Sequence, residues 1–384
     1  MRKNSTDLPS TYIDWVRRMR PYLPEAVKAQ LAALIEKGIG SDFETIDDLA
    51  EDNLLIDLFD TELWAEARRS ASRLKLSTQD AYEYIRYERL DVAKTYLYVV
   101  NLDYNLLLRY MLAGSKLFHF MPGITNRLLH TDMNVPVESI TMPYQSLAPI
   151  FDSTEVTDAF YAVCRQRAPK QNKGAITVFV SIYEHSGERR LSISGAHTHG
   201  DQCHYFAQRS LLLRAGWDAE QALKTDWVAL GNPRDDMLDG TGVNILNSPD
   251  GDETNFYTDG LQFFRLVLNA VLYLGSHRPT LSRVRVNGPH AKADKLNYSM
   301  DEHVTVGEGI TPISAPGETG VRMEDGSVAA IAQATKTVAR ILVMGHWKLQ
   351  AHGPQRTLRK MIHIEPYWRG PDMAEAVSRP HVVH

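Results

Sequence analysis

Residues 175–183 read Ala-Ile-Thr-Val-Phe-Val-Ser-Ile-Tyr, and this stretch carries the clearest information about the fold. Its β-branched and aromatic residues are typical of a strand in the middle of a sheet. Glu188–Ser194 follows after the turn residues His185-Ser186-Gly187, which predicts a β-hairpin. Further on, Phe256–Leu274 is strongly apolar and is followed by Gly275, a pattern that predicts a long helix packed on this sheet.

The first third of the chain predicts helices, because its apolar residues recur at spacings of three and four. The predicted helices are Tyr12–Arg20, Glu25–Lys37, Leu63–Leu74 and Thr78–Ala113. Ser77 and Asp80 stand at the start of the last helix in an arrangement that is typical of a helix cap.

The remaining segments are less regular. Ser139–Met142 predicts a short strand, and Ser282–Thr319, which is rich in Gly and Pro, predicts a long loop. Thr337–Met344 and Lys360–Ile364 predict two strands. Between them, Gly345–Pro354 is polar and contains Gly and Pro, so we expect an exposed loop, or the end of a strand, that joins the two strands into a long hairpin.

These patterns predict an α+β fold in three segments. Residues 1–130 form a helical N-terminal region, residues 131–280 form a central mixed α/β layer, and residues 281–384 form a C-terminal, β-rich basic module. With 384 residues, the chain is long enough for two or three ordinary domains or for one elaborated domain.

Composition limits the classes of function. The formal net charge of −5 means that any contact with nucleic acid must be local. Cys164 and Cys203 are the two cysteines, which favours a reducing compartment. The polar stretch Met1–Ser10 lacks the apolar segment of a signal peptide, and no apolar run predicts a membrane span. We therefore expect a cytoplasmic protein without membrane contact; the sequence does not indicate its oligomeric state.

Basic and aromatic residues concentrate near the C-terminus. Between Lys336 and Arg369 there are seven Lys or Arg residues, and Glu365 is the single acidic residue. Cations interleaved with aromatic and amide side chains can bind phosphates and stack on bases. The candidate RNA-binding residues are Trp347, Lys348, Gln350, Arg356, Arg359, Lys360 and Arg369. The alternative is an ordinary charged hairpin with a structural tryptophan.

Three histidines lie among these cations and are candidate catalytic residues. His346 is the candidate base for an RNA 2′-hydroxyl, because an ordinary imidazole titrates near neutral pH. His352 or His363 is the candidate acid for the leaving oxygen. With a cation to hold the phosphate, this set predicts an endoribonuclease that needs no metal and no cofactor.

A second histidine cluster lies in the middle of the chain. His197, His199, Cys203 and His204 include a His-x-His spacing, which places two side chains on one face of a strand and is known from metal sites. The favoured interpretation is a polar strand end without a metal. A metal-dependent hydrolase built on His197–His204 remains the alternative.

The C-terminal motif resembles a known family. The quoted residues are Val343-Met-Gly-His-Trp-Lys-Leu-Gln350, Gly353-Pro-Gln-Arg356, Ile362-x-Ile364-x-Pro366 and Arg369-Gly-Pro371. This pattern resembles the type V-A anti-CRISPR family that limits production of the effector nuclease through its messenger RNA, and the bacterial and phage homologues of that family. The resemblance is strong over about 35 residues. It implies an anti-CRISPR-like protein of a phage or other mobile element.

The resemblance also implies how such a protein acts. It implies an RNA-binding protein that lowers the expression of selected transcripts by mRNA degradation linked to translation, with messenger RNA, the ribosome or a nascent peptide as partners. Cleavage by the protein itself and recruitment of another nuclease both remain open. A different class also remains open, in which the chain is a non-catalytic module that binds and inhibits a protein partner.

Overall fold

A computed structural model gives the fold of the chain. The described residues are 11–36, 52–112, 116–164, 168, 174–185, 187–223, 225, 253–285, 302–313, 340–369 and 376–377.

A seven-stranded mixed sheet lies at the centre of the protein. Its strands are β1 Lys116–Phe120, β2 Ser146–Phe151, β3 Ile176–His185, β4 Glu188–His199, β5 Gln202–Leu212, β6 Leu281–Arg285 and β7 Glu302–Val306. The order across the sheet is β5-β4-β3-β2-β1-β7-β6. Strands β2, β1 and β7 run parallel, and every other neighbouring pair is antiparallel.

The hairpin predicted around residues 175–183 is confirmed. Strands β3 and β4 pair from Ile176↔His197 to His185↔Glu188. Both faces of β3 are buried, because Val178 and Val180 pack in one core cluster while Phe179 packs in the other. A strand that is buried on both faces needs apolar residues at successive positions, which explains the near-continuous apolar run.

Helices of the N-terminal region pack on one face of the sheet or on the helices that cover it. They are α1 Tyr12–Met19, α2 Tyr22–Glu36, α3 Asp52–Leu74, α4 Thr78–Glu83 and α5 Leu90–Leu112. A capping box fixes the start of α1, since the side chain of Thr11 accepts from the backbone of Asp14 and the carboxylate of Asp14 accepts from the backbone of Thr11. The N–H of Tyr12 donates to the Thr177 hydroxyl in β3 at 3.1 Å and so ties α1 to the sheet.

The single helix predicted over Thr78–Ala113 is interrupted. Its predicted cap is confirmed, because the Ser77 hydroxyl accepts from the Asp80 N–H at 3.0 Å. After α4, however, the backbone forms a π-helical turn over Tyr84–Glu88 and leaves helical geometry at Arg89 before α5 begins. Such a turn interrupts the regular hydrogen-bonding ladder, and the apolar residues Ile85 within it and Leu90 after it are five positions apart instead of three or four.

The other face is covered by α6 Pro122–Leu129, α7 Thr154–Val163 and α8 Glu253–Gly275, together with other residues of the described chain. Helix α8 confirms the prediction for Phe256–Leu274. Its ring of Phe263 lies 5.7 Å from that of Phe160 in α7 and 5.7 Å from that of Phe206 in β5, so α8 closes the core over the sheet.

Two predictions for irregular parts of the chain before residue 320 are wrong. Ser139–Met142 is not a strand, because a short 3₁₀ turn occupies Val137–Ser139 after Pro136. The predicted loop Ser282–Thr319 contains most of β6 and all of β7, while residues 286–301 and 314–319 lie outside the described part of the chain. In β7, alternate residues such as Val304 and Val306 pack in the core, which is the ordinary reason for a strand to form.

The C-terminal strands are β8 Arg340–Val343, β9 His346–His352, β10 Leu358–Ile364, β11 Tyr367–Arg369 and β12 Ala376–Val377. Strand β9 occupies most of Gly345–Pro354, so the predicted exposed loop is wrong there and the alternative, the end of a strand, is the better description. Strand β10 pairs with β9, and β8 belongs to a separate sheet with β11 and β12.

The architecture is α+β, as predicted. Strands from all three predicted segments enter the central sheet, since β1 lies before residue 131 and β7 after residue 280. Within the described ranges, no helix combines the length and apolar character needed to cross a bilayer.

Candidate functional site

The β9–β10 hairpin brings most of the predicted site residues together and sorts them onto two faces. Directly opposed residues of an antiparallel pair share a face, and successive residues alternate between faces. Trp347 opposes His363, Lys348 opposes Ile362, and Gln350 opposes Lys360. The side of Lys348 is called the outer face below, and the side of Trp347 the inner face.

The outer face carries half of the predicted site. Its members are His346, Lys348, Gln350, His352 and Lys360, together with the apolar Leu358, Ile362 and Ile364. His346, Lys348 and Gln350 are exposed, whereas His352 and Lys360 are half-buried. This face therefore presents cationic, amide and imidazole groups beside apolar side chains.

The inner face fastens the hairpin to the helical layer. Trp347 is buried, and its indole N–H donates to the side-chain oxygen of Asn269 in α8 at 2.8 Å. The amide nitrogen of Asn269 donates to the carbonyl oxygens of Leu128 and Thr131 at 3.0 and 2.8 Å. Because the indole is enclosed and its donor is satisfied, a role of Trp347 in RNA binding would have to be indirect, by holding the hairpin in place.

His363 lies beside Trp347 on the inner face, with ring centroids 4.8 Å apart. The Thr131 hydroxyl donates to the carbonyl of Arg127 at 2.8 Å, so at the 3.0 Å contact with His363 it accepts from Nε2–H. Burial, followed by the charges of Arg127 and His346, lowers the pKa of His363 to about 4. The imidazole is therefore neutral near pH 7.

Gly345 completes the docking of the hairpin. Its N–H donates to the carbonyl of His130 and its carbonyl accepts from the N–H of Asp132, both at 2.8 Å. A Cβ at this position would lie 2.7 Å from both Pro366 Cδ and Thr131 Oγ1. The glycine of the Gly-His-Trp motif is thus required for close backbone contact with the end of α6.

The three candidate catalytic histidines do not converge. His346 and His352 share the outer face but stand six residues apart in β9, which corresponds to about 20 Å along a strand. His363 is closer to His346 but belongs to the inner face. Two proton-transfer groups must reach one phosphate for unaided cleavage, and these positions keep them apart.

The remaining predicted cations are spread around the hairpin. Arg359 belongs to the inner face beyond the buried part, and its guanidinium donates to the carbonyl of Arg356 at 2.8 Å. Arg356 lies in the exposed turn, where both Gln355 and Arg356 have positive φ angles, of 52° and 55°. Arg369 is exposed in β11, which belongs to a different sheet.

The central histidine cluster is built into strands β4 and β5. His197 opposes His204, while Cys203 belongs to the opposite face of the sheet. His197 is fully buried and its Nδ1 lies 3.0 Å from the Tyr161 hydroxyl. Burial, followed by the charges of His204 and His199, lowers the pKa of His197 to about 4. Among the described residues, no three His, Cys, Asp or Glu side chains are grouped to hold a metal ion.

Asn269 and Thr131 are the site residues that sequence reasoning missed. Asn269 is the lone polar residue in Leu266-Val-Leu-Asn-Ala-Val-Leu272, and a polar group in an otherwise apolar stretch of helix indicates a buried hydrogen-bonding partner. No comparable signal marks Thr131, because its role depends on the arrival of Gly345 and His363 from far along the chain.

Fold and site together define an α+β protein with a partly cationic hairpin anchored on its helical layer by a Gly-His-Trp motif. The AcrVA2-like family model, described as the anti-CRISPR type V subtype A2 family, matches residues 118–371. This region is more than half of the chain and contains both the anchor and the hairpin. The chain belongs to the AcrVA2-like family and is anti-CRISPR-like.

Comparisons with individual proteins add little. Among solved structures, the crystal structure of AcrVA2 is 12% identical with a TM-score of 0.40, covering 94% of this chain and 98% of that chain. No protein of curated function matches the sequence significantly.

Proposed function

We propose that this anti-CRISPR-like protein is directed to RNA and lowers the expression of selected transcripts in the cytoplasm, in a step linked to translation. Messenger RNA is the proposed ligand, and the outer face of the hairpin is the proposed contact. The ribosome or a nascent peptide is the proposed source of selectivity.

The observation that carries the proposal is the alignment of Lys348, Gln350 and Lys360 on one face, with His346 and His352 at its ends. Lysines neutralise phosphates, while amide and imidazole groups hydrogen-bond to bases or ribose. The anchor of Trp347 on Asn269 holds this face in place from beneath, so a ligand meets a preorganised surface.

Binding is better supported than unaided cleavage. On the outer face, the second imidazole after His346 is His352, about 20 Å away, and the neutral His363 lies on the inner face. We therefore propose that the protein holds RNA and that a recruited nuclease acts on it.

A binding assay with purified protein tests the proposal. Lys348→Ala should weaken binding of single-stranded RNA more than Arg359→Ala, because the two exposed cations occupy opposite faces of the same hairpin. Arg68→Ala, an exposed cation on α3, is the control and should bind as wild type does. Wild-type binding should weaken with salt, with a slope of roughly −0.7 per neutralised phosphate.

The same assay separates binding from chemistry. His346→Ala should weaken binding less than Lys348→Ala, since the lysines carry the phosphate contacts. If wild-type protein cuts RNA and His346→Ala slows cutting by about 10²- to 10⁴-fold, the endoribonuclease assignment replaces the recruitment proposal.

A second candidate is a non-catalytic module that binds a protein partner. Leu349, Leu358 and Tyr367, which lie on different faces, are exposed apolar side chains that such a partner could contact, with 44%, 53% and 51% of their surfaces accessible. RNA affinity that is absent, or that does not depend on salt, would support this candidate over the first.

A further inference from the structure

The turn that follows helix α8 lies beside strand β10 of the hairpin. The backbone N–H of His277 donates to the carbonyl of Met361 in β10 at 2.9 Å. This bond places the exposed His277 and Arg278 beside Lys360, the neighbour of Met361 on the outer face. Two further basic residues, which the predicted site did not include, thus join the far end of the hairpin.

Four nitrogen-bearing side chains lie near one another at this edge. Desolvation, followed by the positive charges of Lys360, Arg278 and His352, lowers the pKa of His277. Lys360 and His352 share the outer face, since their opposed partners are Gln350 and Leu358. The Nδ1 atom of His352 is buried and makes no hydrogen bond within the described structure.

The backbone of Arg278 supports a binding role. Its φ angle is +63°, in the left-handed region that a residue with a Cβ atom seldom adopts. Glycine or asparagine would adopt this conformation at a lower cost. The side chain of Arg278 is therefore not required by its backbone conformation, which leaves its charge free to serve a ligand.

We propose that His277, Arg278, His352 and Lys360 form a binding cluster for a phosphate of the RNA backbone. The inference rests on the proposed RNA-directed function and adds a second contact point to it. The guanidinium and ammonium groups supply fixed charge, and an imidazole becomes a charged donor when an anion approaches. A bound phosphate would relieve the repulsion among these groups.

The position of the cluster determines how long a stacked RNA strand must be to reach both the cluster and His346. His346 and His352 lie at the two ends of β9, about 20 Å apart. At roughly 3.4 Å per nucleotide of stacked strand, about six nucleotides span this distance. A stacked strand shorter than that reaches one end of the outer face, whereas a longer one reaches both His346 and the cluster.

Single-stranded RNA oligonucleotides of four and ten nucleotides test the proposal in a fluorescence binding titration. Wild-type protein should bind the longer RNA more tightly. Arg278→Asn removes the charge while accepting the left-handed backbone, and it should weaken binding of the longer RNA roughly tenfold, as expected for one charge-assisted phosphate contact. Its salt slope should also be smaller in magnitude by about 0.7.

Two further variants complete the design. Arg68→Asn on α3 is the charge-matched control and should match wild type with both lengths. His277→Gln keeps the backbone bond to Met361 and should also weaken binding of the longer RNA. A melting temperature equal to that of the wild-type protein is expected, which would show that the fold is intact. This variant guards against loss of structure in Arg278→Asn.

The outcomes separate the two proposals. If Lys348→Ala weakens RNA binding while Arg278→Asn and His277→Gln bind the longer RNA as wild type does, the cluster is overturned and the proposed function stands. If wild-type protein binds neither RNA, the proposed function is overturned and the cluster with it. A selective loss with the longer RNA in both cluster variants supports the cluster.

Discussion

At the scale of single residues, Trp347 and Asn269 decide how the hairpin is held. The indole N–H donates to the Asn269 oxygen, and the Asn269 amide donates to two carbonyls near the end of α6. Carbonyls in the last turn of a helix lack partners inside the helix, and Asn269 donates to one of them, the carbonyl of Leu128 in α6. One buried amide thereby links three segments that are far apart in sequence.

Trp347→Phe tests this link. Phenylalanine keeps an aromatic ring but removes the donor, which leaves the buried Asn269 oxygen without its partner. We expect a loss of about 1–3 kcal/mol in the free energy of unfolding, measured by urea denaturation. Leu349→Ala on the same strand is the control, and at 44% exposure it should change stability far less. Equal stability of Trp347→Phe and wild type would show that the bond contributes nothing.

His363 makes stability depend on pH. Its pKa is lowered to about 4 in the folded protein, against an ordinary value near 6.5, so between these values the unfolded chain binds a proton that the folded protein does not. Stability should therefore fall as pH drops from about 6.5 to about 4. His363→Gln should reduce this dependence by nearly one proton in denaturation series across that range, while His197, with a similar pKa, continues to contribute. An unchanged dependence would contradict the assignment.

At the scale of elements, the alternation of polar and apolar residues indicated strand β9, whereas the Gly and Pro residues at its ends wrongly indicated a loop. In β9, polar and apolar residues alternate from His346 to His352, the pattern of a half-buried strand. Gly345 and Gly353-Pro354 at its ends favoured a loop instead. Gly345 is present because of a close contact between elements, which local sequence does not record. The β3 strand was predictable because its burial on both faces requires apolar residues throughout.

Gly345→Ala tests how closely the hairpin meets α6. The added methyl group would approach the Pro366 ring, the Thr131 hydroxyl and a backbone carbonyl within 3 Å, and the carbonyl cannot move alone. Overpacking of this kind costs about 1–3 kcal/mol. Thermal unfolding should show the loss, together with weaker RNA binding as the outer face shifts. Gly200→Asn, at an open turn with a positive φ angle, should be tolerated. Wild-type behaviour of Gly345→Ala would argue against tight docking.

At the scale of the whole molecule, the N-terminal helices and the hairpin lie on opposite sides of the central sheet. Arg20 joins Glu62 of α3 and Asp103 of α5 in a buried ion network. Tyr12 donates to Asp103, and Tyr22 donates to Glu62. Helix periodicity predicted the helices themselves, but not this pairing, since the partners lie about 40 residues or more apart. The same limit hid His277 and Arg278 from the predicted site.

Asp103→Asn tests whether this network holds the helices on the sheet. The change preserves shape but leaves the buried Arg20 with one carboxylate partner instead of two. Because Arg20 keeps Glu62, the cost should stay below that of an unpaired buried charge, at about 1–3 kcal/mol. Asp91→Asn, in an exposed pair with Arg89, is the control and should cost well under 1 kcal/mol. RNA affinity of the folded Asp103→Asn protein should be unchanged, and a loss of affinity at full folding would contradict the separation of the two sides.

The most direct test of the central claim is transcript sequencing in a host that carries a type V-A CRISPR system. Wild-type protein, the Lys348→Ala/Lys360→Ala variant and the Arg68→Ala control are expressed to equal levels. The account predicts that a small set of transcripts falls with wild type and with the control, and recovers with the double variant, which removes both lysines of the outer face. Transcripts that stay unchanged with wild type, or that fall equally with the double variant, would contradict it.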